Sequence, residues 1–275
     1  MRFPPFRTRN LFASISLLTL LAGSTAGCTT ASFEGITNST GGALSGSWFR
    51  SSSRGETDWG QETAAAGERY RSNPRDGAAA LRYAESLRKT GQRAQAAAVL
   101  QQASIHNPND RRVLGAYGRA LADTGNLNEA LEMLGRAHTP DNPDWRVLSA
   151  QGAVLDQMGR HEEARRYYAT ALKIVPNEPS ILSNLGLSYA LSKDLRQAED
   201  SLRKATARGS NERRVRQNLA LVVGLQGRFK EAEEIARSDL PADEAAENIT
   251  YLRQMLAEHE SAKTHERARI TGRAG

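Results

Sequence analysis

Apolar residues recur through the middle of the chain at intervals of three and four positions. Leu114 and Leu121 belong to one such stripe, and Leu182 and Leu185 belong to another. This spacing places apolar side chains on one face of a helix, so it predicts a series of short amphipathic helices. Glycines and Asn-Pro or Pro-Asn pairs lie between the stripes, where they are expected to end one helix before the next begins.

The stripes repeat every 34 residues, and the stretch Trp145–Glu178 shows the unit most clearly. Small residues occupy its eighth, twentieth and twenty-seventh places. In successive units the eighth place contains Ala84, Gly118, Gly152, Gly186 and Ala220. The twentieth place contains Ala96, Ala130, Ala164, Ala198 and Ala232. A 34-residue period with small residues at these places is typical of the tetratricopeptide repeat, a helix–turn–helix unit.

Helix packing explains why these places contain small residues. They are expected where the two helices of a unit cross, because a larger side chain there would cost about 1–3 kcal/mol through overpacking. The fifteenth place is glycine in four units and Lys193 in the other, and there a positive φ is expected to end the first helix. The sequence therefore predicts an all-α fold, a right-handed superhelical solenoid of tetratricopeptide helix pairs.

The chain divides into five predicted segments. They are a signal peptide at 1–27, a flexible Ser/Thr/Gly-rich tether at 28–57, the repeats at 58–241, a C-terminal capping helix at 242–260 and a disordered basic tail at 261–275. The repeats comprise an N-terminal cap helix, the units 77–110, 111–144, 145–178 and 179–212, and a partial unit at 213–241. Ile249, Leu252 and Leu256 form the apolar stripe of the capping helix. Trp48 and Phe49 in the tether are candidates to dock on the solenoid, on the membrane surface or on a partner.

The N-terminal leader has the pattern of an export signal. Three arginines precede an apolar run of about 12 residues, which is too short to span a bilayer comfortably. Thr25 to Cys28 resembles a lipobox, the site at which bacterial lipoproteins are lipidated on cysteine, although Thr25 stands where leucine is usual. Ordinary cleavage after Ala26 is the alternative, but it would leave a lone thiol in an oxidising compartment. We expect Cys28 to be the lipidation site.

Charge and composition favour neither nucleic-acid binding nor catalysis. The formal net charge is +6, of which three charges lie in the leader, and no nucleic-acid-binding motif accompanies the remainder. His161 begins a His-Glu-Glu sequence, but Arg165 stands where a zinc protease needs its second histidine. The other histidines lack metal-ligand spacing. We expect no enzymatic activity, metal, cofactor or small-molecule substrate, although sequence alone leaves open a catalytic set assembled by folding.

Function is therefore expected on the surface that the first helices present. In the tetratricopeptide family, places 2, 5, 6, 9, 12 and 13 of these helices face a concave groove. The candidate groove residues of the early units are Arg112, Arg119 and Arg146, and those of the last two units are Asn184, Leu187, Leu191, Asn218, Leu221 and Leu225. The groove thus changes from charged to apolar. Two interpretations remain open: a slot for an apolar partner segment, or a strip that the C-terminal helix covers.

Particular stretches of the chain resemble one family more closely. With the lipobox and the five units, the stretches Asp144–Ser192 and Arg214–Phe229 resemble the TadD family. These are tetratricopeptide lipoproteins of the tight-adherence (Flp) pilus assembly machinery, and the resemblance covers about residues 70–260 and the leader. It implies a non-enzymatic protein, lipid-anchored in the cell envelope and facing the periplasm, whose partners are pilus and secretion machinery proteins.

The finer expectation comes by analogy with other tetratricopeptide pilus lipoproteins. It is that the protein is a pilotin for the outer-membrane secretin, anchored in the outer membrane by the lipid on Cys28. The alternative is a generic envelope tetratricopeptide lipoprotein that serves another assembly machine, such as outer-membrane protein assembly or cell-wall synthesis.

Overall fold

The computed structural model describes residues 56–207 and 213–272; the leader, Cys28, Trp48 and Phe49 lie outside these ranges. The described residues form twelve helices. They are α1 (Glu56–Ser72), α2 (Gly77–Lys89), α3 (Arg93–His106), α4 (Arg111–Asp123), α5 (Leu127–Arg136), α6 (Trp145–Gln157), α7 (His161–Ile174), α8 (Pro179–Leu191), α9 (Leu195–Ala207), α10 (Arg213–Leu225), α11 (Phe229–Ala236) and α12 (Ala242–Gly272). The predicted all-α repeat fold is confirmed.

The first helices of three units begin at the same repeat position. Asp76, Asp110 and Asp144 are N-cap residues, and each side chain accepts a hydrogen bond from the amide two residues later, at 2.8–2.9 Å. Such a cap stabilises a helix by about 1 kcal/mol because it satisfies an amide that has no partner within the helix. The fourth unit uses Pro179 at the start of α8 instead, where its missing N–H costs nothing.

The two helices of a unit cross at the small residues. A methyl group on Gly118 would lie 2.7 Å from Cγ of Leu134, and one on Gly152 would lie 2.6 Å from Cε1 of Tyr168. Both distances are shorter than van der Waals contact. The place-20 alanines that face them, such as Ala164, have no exposed surface. Even the methyl group of alanine would therefore clash in these two units, which need glycine at place 8, whereas other units contain Ala84 and Ala220 there.

The turn inside each unit uses left-handed backbone. Gly91, Gly125, Gly159 and Gly227 have φ between 74° and 83°, and Lys193 has φ 65° at the equivalent place. In each unit the amide that follows this residue donates a hydrogen bond back to the end of the first helix; for Gly159 the donor is Arg160 and the acceptor is Leu155. The geometry of the turn is thus independent of the residue type, and Lys193 adopts it against its own preference.

Successive units stack through their first helices. Helices α2, α4, α6, α8 and α10 each contact the next of the series, whereas the backbones of the second helices α3, α5, α7, α9 and α11 do not approach one another closely in the described residues. The first helices therefore form the inner layer. Helix α12 packs on α10 and α11 as a further first helix would: Leu252 is fully buried and would clash with a methyl group on Gly224.

Two segments differ from the sequence prediction. Helix α12 continues to Gly272, although residues 261–275 were expected to be disordered. Residues 261–271 contain no Gly or Pro and several good helix formers, so extending a helix that is already nucleated costs little. The repeat also predicts a second helix over about the last 14 residues of each unit. Helix α5 nevertheless ends at Arg136, because Pro140 and Pro143 follow and cannot donate helical hydrogen bonds.

The second helices of the last two units are linked by an ionic network. Arg228 and Arg203 both contact the Glu199 carboxylate at 2.7 Å, and Gln226 donates to it at 2.9 Å. Partial burial alone would raise the pKa of Glu199, but the hydrogen bonds from Arg228, Gln226 and Arg203 outweigh burial and lower the pKa to about 2. The network joins α9 to the α10–α11 turn and to α11 itself.

The turn geometry predicts that a matched pair of substitutions differ in their effect on stability. Gly159→Lys should lower the free energy of unfolding by about 1 kcal/mol, because a side chain in the left-handed region is strained. No atom lies within 4 Å of a methyl group at Gly159, so crowding does not contribute. Lys193→Gly should leave stability unchanged or raise it, since glycine relieves that strain at a cost in chain entropy. Urea denaturation monitored by circular dichroism measures both; a loss of stability for Lys193→Gly would contradict this account.

The Glu199 network predicts a specific loss of stability in acid. The pKa of Glu199 is lower in the folded state than in the unfolded state, where it is about 4.3. The ionised carboxylate therefore stabilises the fold fully at pH values above about 4.3, and this contribution disappears as the pH falls toward about 2. Glu199→Gln should therefore reduce the change in melting temperature between pH 5 and about pH 2. The exposed Glu132→Gln variant is the control. If both variants and the wild type lose stability in parallel, the network does not hold the units together.

Candidate protein-binding groove

The predicted groove residues all lie on first helices, in the inner layer. Arg112 and Arg119 lie on α4, Arg146 on α6, and the asparagines and leucines on α8 and α10. Arg112 and Arg146 are exposed, Arg119 and the four leucines are half-buried, and Asn218 is buried. The repeat places these side chains on one layer, but their individual environments differ.

Most charges of the early units already have partners within the fold. Arg88 pairs with Asp123 at 2.5 Å, joining α2 to α4. Arg112 pairs with the N-cap residue Asp110 at 3.2 Å. The Arg146 guanidinium lies 4.2 Å from the ring centre of Trp145, within cation–π range. Most of the charged side chains at this end of the groove therefore already contact a nearby residue or a residue of the next repeat.

Arg119 is the exception among the three predicted groove arginines. It is half-buried, yet it makes no ion pair and no hydrogen bond with any described residue. Burial lowers the pKa of Arg119, and nearby Arg88 and Arg146 lower it further, while Asp144 and Asp123 partly compensate. Three guanidinium groups from three successive first helices thus lie close to one another.

The two asparagines have a structural role that the sequence prediction missed. The Asn184 side-chain amide donates to the Ser149 hydroxyl at 3.1 Å, and that of Asn218 donates to the Ser183 hydroxyl at 3.0 Å. Each bond joins place 6 of one first helix to place 5 of the previous one. Asn218 is only 7% exposed, so in this structure it offers little surface to a partner. The serine 35 residues before each asparagine was the signal for this pairing.

The four leucines form the apolar end of the groove. Leu187 and Leu191 share one face of α8, because they are four residues apart, and Leu221 and Leu225 repeat this arrangement on α10. All four are half-buried. We refer to these four residues as the leucine strip.

The C-terminal helix uses its own apolar residues for a different contact. Ile249 joins the core cluster that includes Leu219 and Val223, and Leu252 packs at Gly224. Leu256 of the same predicted stripe is half-buried. Helix α12 therefore uses Ile249 and Leu252 to stack on α10 and α11, and the leucine strip keeps part of its surface accessible.

A buried carboxylate fixes the middle of the groove, and sequence analysis did not identify it. Asp156 of α6 accepts hydrogen bonds from Tyr168 at 2.9 Å and Ser188 at 2.7 Å, and lies 2.8 Å from Nδ1 of His161. Burial raises the pKa of Asp156, and these partners oppose the rise. The contacts connect α6 to α7 and α8, so this network sets where α8 lies in the groove. An acidic residue at place 12 followed by histidine at 17 and tyrosine at 24 was the available signal.

Within residues 56–207 and 213–272, no cluster of three or more His, Cys, Asp or Glu residues is arranged to hold a metal ion. No helix there combines the length and apolarity needed to cross a membrane.

Comparison with known proteins identifies the repeat. Two family profiles described as tetratricopeptide repeat match residues 87–153 and 146–211. A search of curated proteins finds no match.

Solved structures with similar folds cover much of the chain. A thermophilic TPR protein of Thermus thermophilus is 24% identical, with 67% of this chain and 98% of that chain covered and a TM-score of 0.56. PilW, a widely conserved type IV pilus biogenesis factor, is 20% identical, with 66% and 86% covered and a TM-score of 0.57. A tetratricopeptide repeat protein from Parabacteroides merdae is 12% identical, with 73% and 80% covered and a TM-score of 0.63. At these identities the likeness concerns the fold.

The 34-residue helix pairs, their glycine and alanine crossings and these matches agree with one another. The chain therefore carries a solenoid of tetratricopeptide repeats, a protein-interaction fold.

Proposed function

We propose that this protein is a non-enzymatic, lipid-anchored scaffold that binds another protein during assembly of a tight-adherence (Flp) pilus secretion system. The observation that carries the proposal is the inner layer of first helices, which presents a charged end and an accessible leucine strip along one groove. The choice of pilus machinery is supported by the resemblance of Asp144–Ser192 and Arg214–Phe229 to the TadD family. The finer proposal is a pilotin that binds the outer-membrane secretin.

The leucine strip is the proposed contact for the partner's apolar segment. Its four side chains lie in two pairs on adjacent helices, which suits a short helix or strand with apolar residues on one side. Burial of such a segment is favourable by about 25 cal/mol per Å² of apolar surface, less the cost of ordering it. Because the inner layer is held by asparagine–serine bonds and by the buried Asp156 contacts, the groove is formed before the partner arrives.

The proposed location is the periplasmic face of the outer membrane. Cys28 lies outside the described residues, and the proposal rests on the leader and on the lipobox-like sequence that ends at this cysteine. Several acyl chains hold a protein firmly on a membrane, whereas a single chain holds it only marginally. The segment between Cys28 and α1 would act as a tether that lets the solenoid reach a partner in the same membrane.

A double substitution in the leucine strip tests the groove. Leu187→Glu with Leu221→Glu should abolish co-purification of the secretin from envelope extract and stop pilus assembly, because both changes place charge where apolar surface must be buried. The melting temperature should change little, since both leucines are already partly exposed.

The outer helices offer a matched control. Ile105 on α3 is 65% exposed and Ile174 on α7 is 39% exposed. Ile105→Glu with Ile174→Glu adds the same charge to second helices and should leave secretin binding intact. Equal loss of binding in both double variants, or a collapsed melt for the first, would refute the groove as the binding surface.

The anchor has its own test. Mass spectrometry of the mature protein should show an N-terminal, acylated Cys28, and Cys28→Ser should release the protein from the membrane fraction. A mature N-terminus at Gly27 with an unmodified thiol would overturn the proposed anchor and leave the groove proposal standing.

A further inference from the structure

The outward surface of the second helices changes from uncharged to charged along the chain. Places 18 and 22 of a unit point outward, because the residues that occupy them in the described units are exposed. In the later units these places carry charged residues or an asparagine: Asn128 and Glu132, Glu162 and Arg166, Arg196 and Asp200, and Lys230 and Glu234. In the first unit they carry Ala94 and Ala98 instead. Helix α3 thus lacks charge at the places where α5, α7, α9 and α11 have it.

Helix α1 shows the same feature in front of the first unit. It packs on α2 as a second helix would, and the Asn-Pro pair that follows it lies 34 residues before the pair that follows α3. Its places 18 and 22 are Gly60 and Ala64, both exposed. Ile105, which is 65% exposed, lies on the same face of α3 as Ala98, two turns further along. We refer to Gly60, Ala64, Ala94, Ala98 and Ile105 as the outer patch.

The chemistry of the outer patch favours contact with an apolar segment. Charged side chains lose hydration when they enter a contact, and they are depleted in the centres of protein interfaces. The five residues of the outer patch carry no charge, so covering them incurs no such loss. Covering Ile105 would also remove apolar surface from water, which is favourable.

The size of the outer patch limits what can bind there. Helix α3 has 14 residues, so it is about 21 Å long, and two helices of about 10 Å diameter give an area of about 400 Å². A stable complex between separate proteins buries about 800 Å² on each partner. The patch is therefore too small for a second copy of the chain or for another protein. A segment of the same chain needs less area, because it is held nearby at high effective concentration.

The chain itself supplies such a segment before α1. Residues 35–49, which lie outside the described residues, contain no charged side chain. They include three large apolar side chains close together, Leu44, Trp48 and Phe49. Their composition therefore matches that of the outer patch, and they are connected to it by a short stretch of chain.

The start of α1 lies close to the start of α3. Nζ of Lys89, at the end of α2, lies 4.3 Å from the centre of the Trp59 ring, and α3 begins four residues after Lys89. Phe49 lies seven residues before Glu56, the first residue of α1, and seven residues span at most about 25 Å. This length is sufficient for the segment to fold back over α1 and to run along α3.

We propose that residues 44–49 dock on the outer patch in extended conformation, between α1 and α3 and antiparallel to α3. In such a segment Leu44 and Trp48 point to the same side and lie about 13 Å apart. Nine helical residues separate Ile105 from the midpoint between the two α3 alanines, which is also about 13 Å. Leu44 therefore contacts Ile105 while the Trp48 ring covers both alanines. Phe49 points to the other side and covers the small residues of α1.

Docking would change how the solenoid is held. Of the 27 residues between Cys28 and Glu56, only residues 29–43 would remain free, so the mean reach of the tether would fall from about 30 Å to about 20 Å. The chain would then leave from the outer layer of second helices, on the side opposite to the leucine strip. This consequence rests on the proposed lipid anchor, whereas the docking itself does not.

Tryptophan fluorescence tests the docking in the absence of membranes. The parent chain starts at residue 28 and carries Cys28→Ser, so it needs no detergent. Trp59→Phe and Trp145→Phe leave Trp48 as its only tryptophan. We expect acrylamide to quench Trp48 only weakly in this parent, because docking shields the ring from solvent.

Matched variants assign the shielding to the outer patch. Ala94→Glu with Ala98→Glu should increase the quenching of Trp48 several-fold. The new charges do not weaken α3, since glutamate favours helices and suits their first turn. Asn128→Glu is the control: it places glutamate at the same place of α5, beside the natural Glu132, and should leave the quenching unchanged. Equal quenching of Trp48 in the parent and in both variants would overturn the proposed docking.

A disulfide tests the direction of the docked segment. Leu44→Cys with Ile105→Cys, in the chain freed of its single natural cysteine, should form a disulfide under mild oxidation. Adding Trp48→Ala should slow its formation about 10-fold, because the effective concentration falls when docking is lost. Phe33→Ala, an aromatic residue of the same tether outside the segment, is the control and should leave the rate unchanged. All three chains have the same tether length, so equal rates would refute the docking. Neither measurement involves the groove or the lipid, and failure here would leave the proposed function standing.

Discussion

The close crossing of two helices at glycine or alanine is the constraint on which every repeat depends. At Gly118, Gly152 and Gly186 a methyl group would lie 2.6–2.7 Å from the place-24 side chain of the second helix. This contact fixes the distance between the two helices of a unit. Each unit therefore presents the same surface to the next unit that stacks on it. Because the first helices form the inner layer, the same small residues determine the spacing of every group in the groove.

Polar contacts between first helices add a second level of order. Asn184 and Asn218 bond to serines of the preceding unit, Arg88 bonds to Asp123, and Asp156 connects α6 to α7 and α8. These bonds are specific in direction and are buried or partly buried, so they hold neighbouring units in register more precisely than apolar contact alone. They also occupy many of the polar groups on the inner face, so few polar side chains there are left to bind a partner.

What remains for a partner is a half-buried guanidinium at one end and a leucine strip at the other. The combination suits a protein segment better than a small molecule, because it is spread over several helices and offers both apolar surface and one charge. PilW shows that a solenoid of this kind occurs in a type IV pilus biogenesis factor. The pilus role proposed for this chain rests on its own sequence stretches and on its leader.

The sequence by itself determined the repeat, because its small residues recur every 34 positions and each must fit a crossing that allows no larger side chain. It also placed the positive φ at Gly159 and its equivalents, and the groove residues on the first helices. Only the tertiary structure decided which groove residues are free. Asn218 and Arg119 look equally available in sequence, yet one is bonded to Ser183 and the other has no partner among the described residues. It also decided that Asp156 would be buried and that α12 would stack as a further first helix. Burial and pairing depend on side chains from neighbouring units, about 35 residues away, and their distances are fixed only when the helices pack.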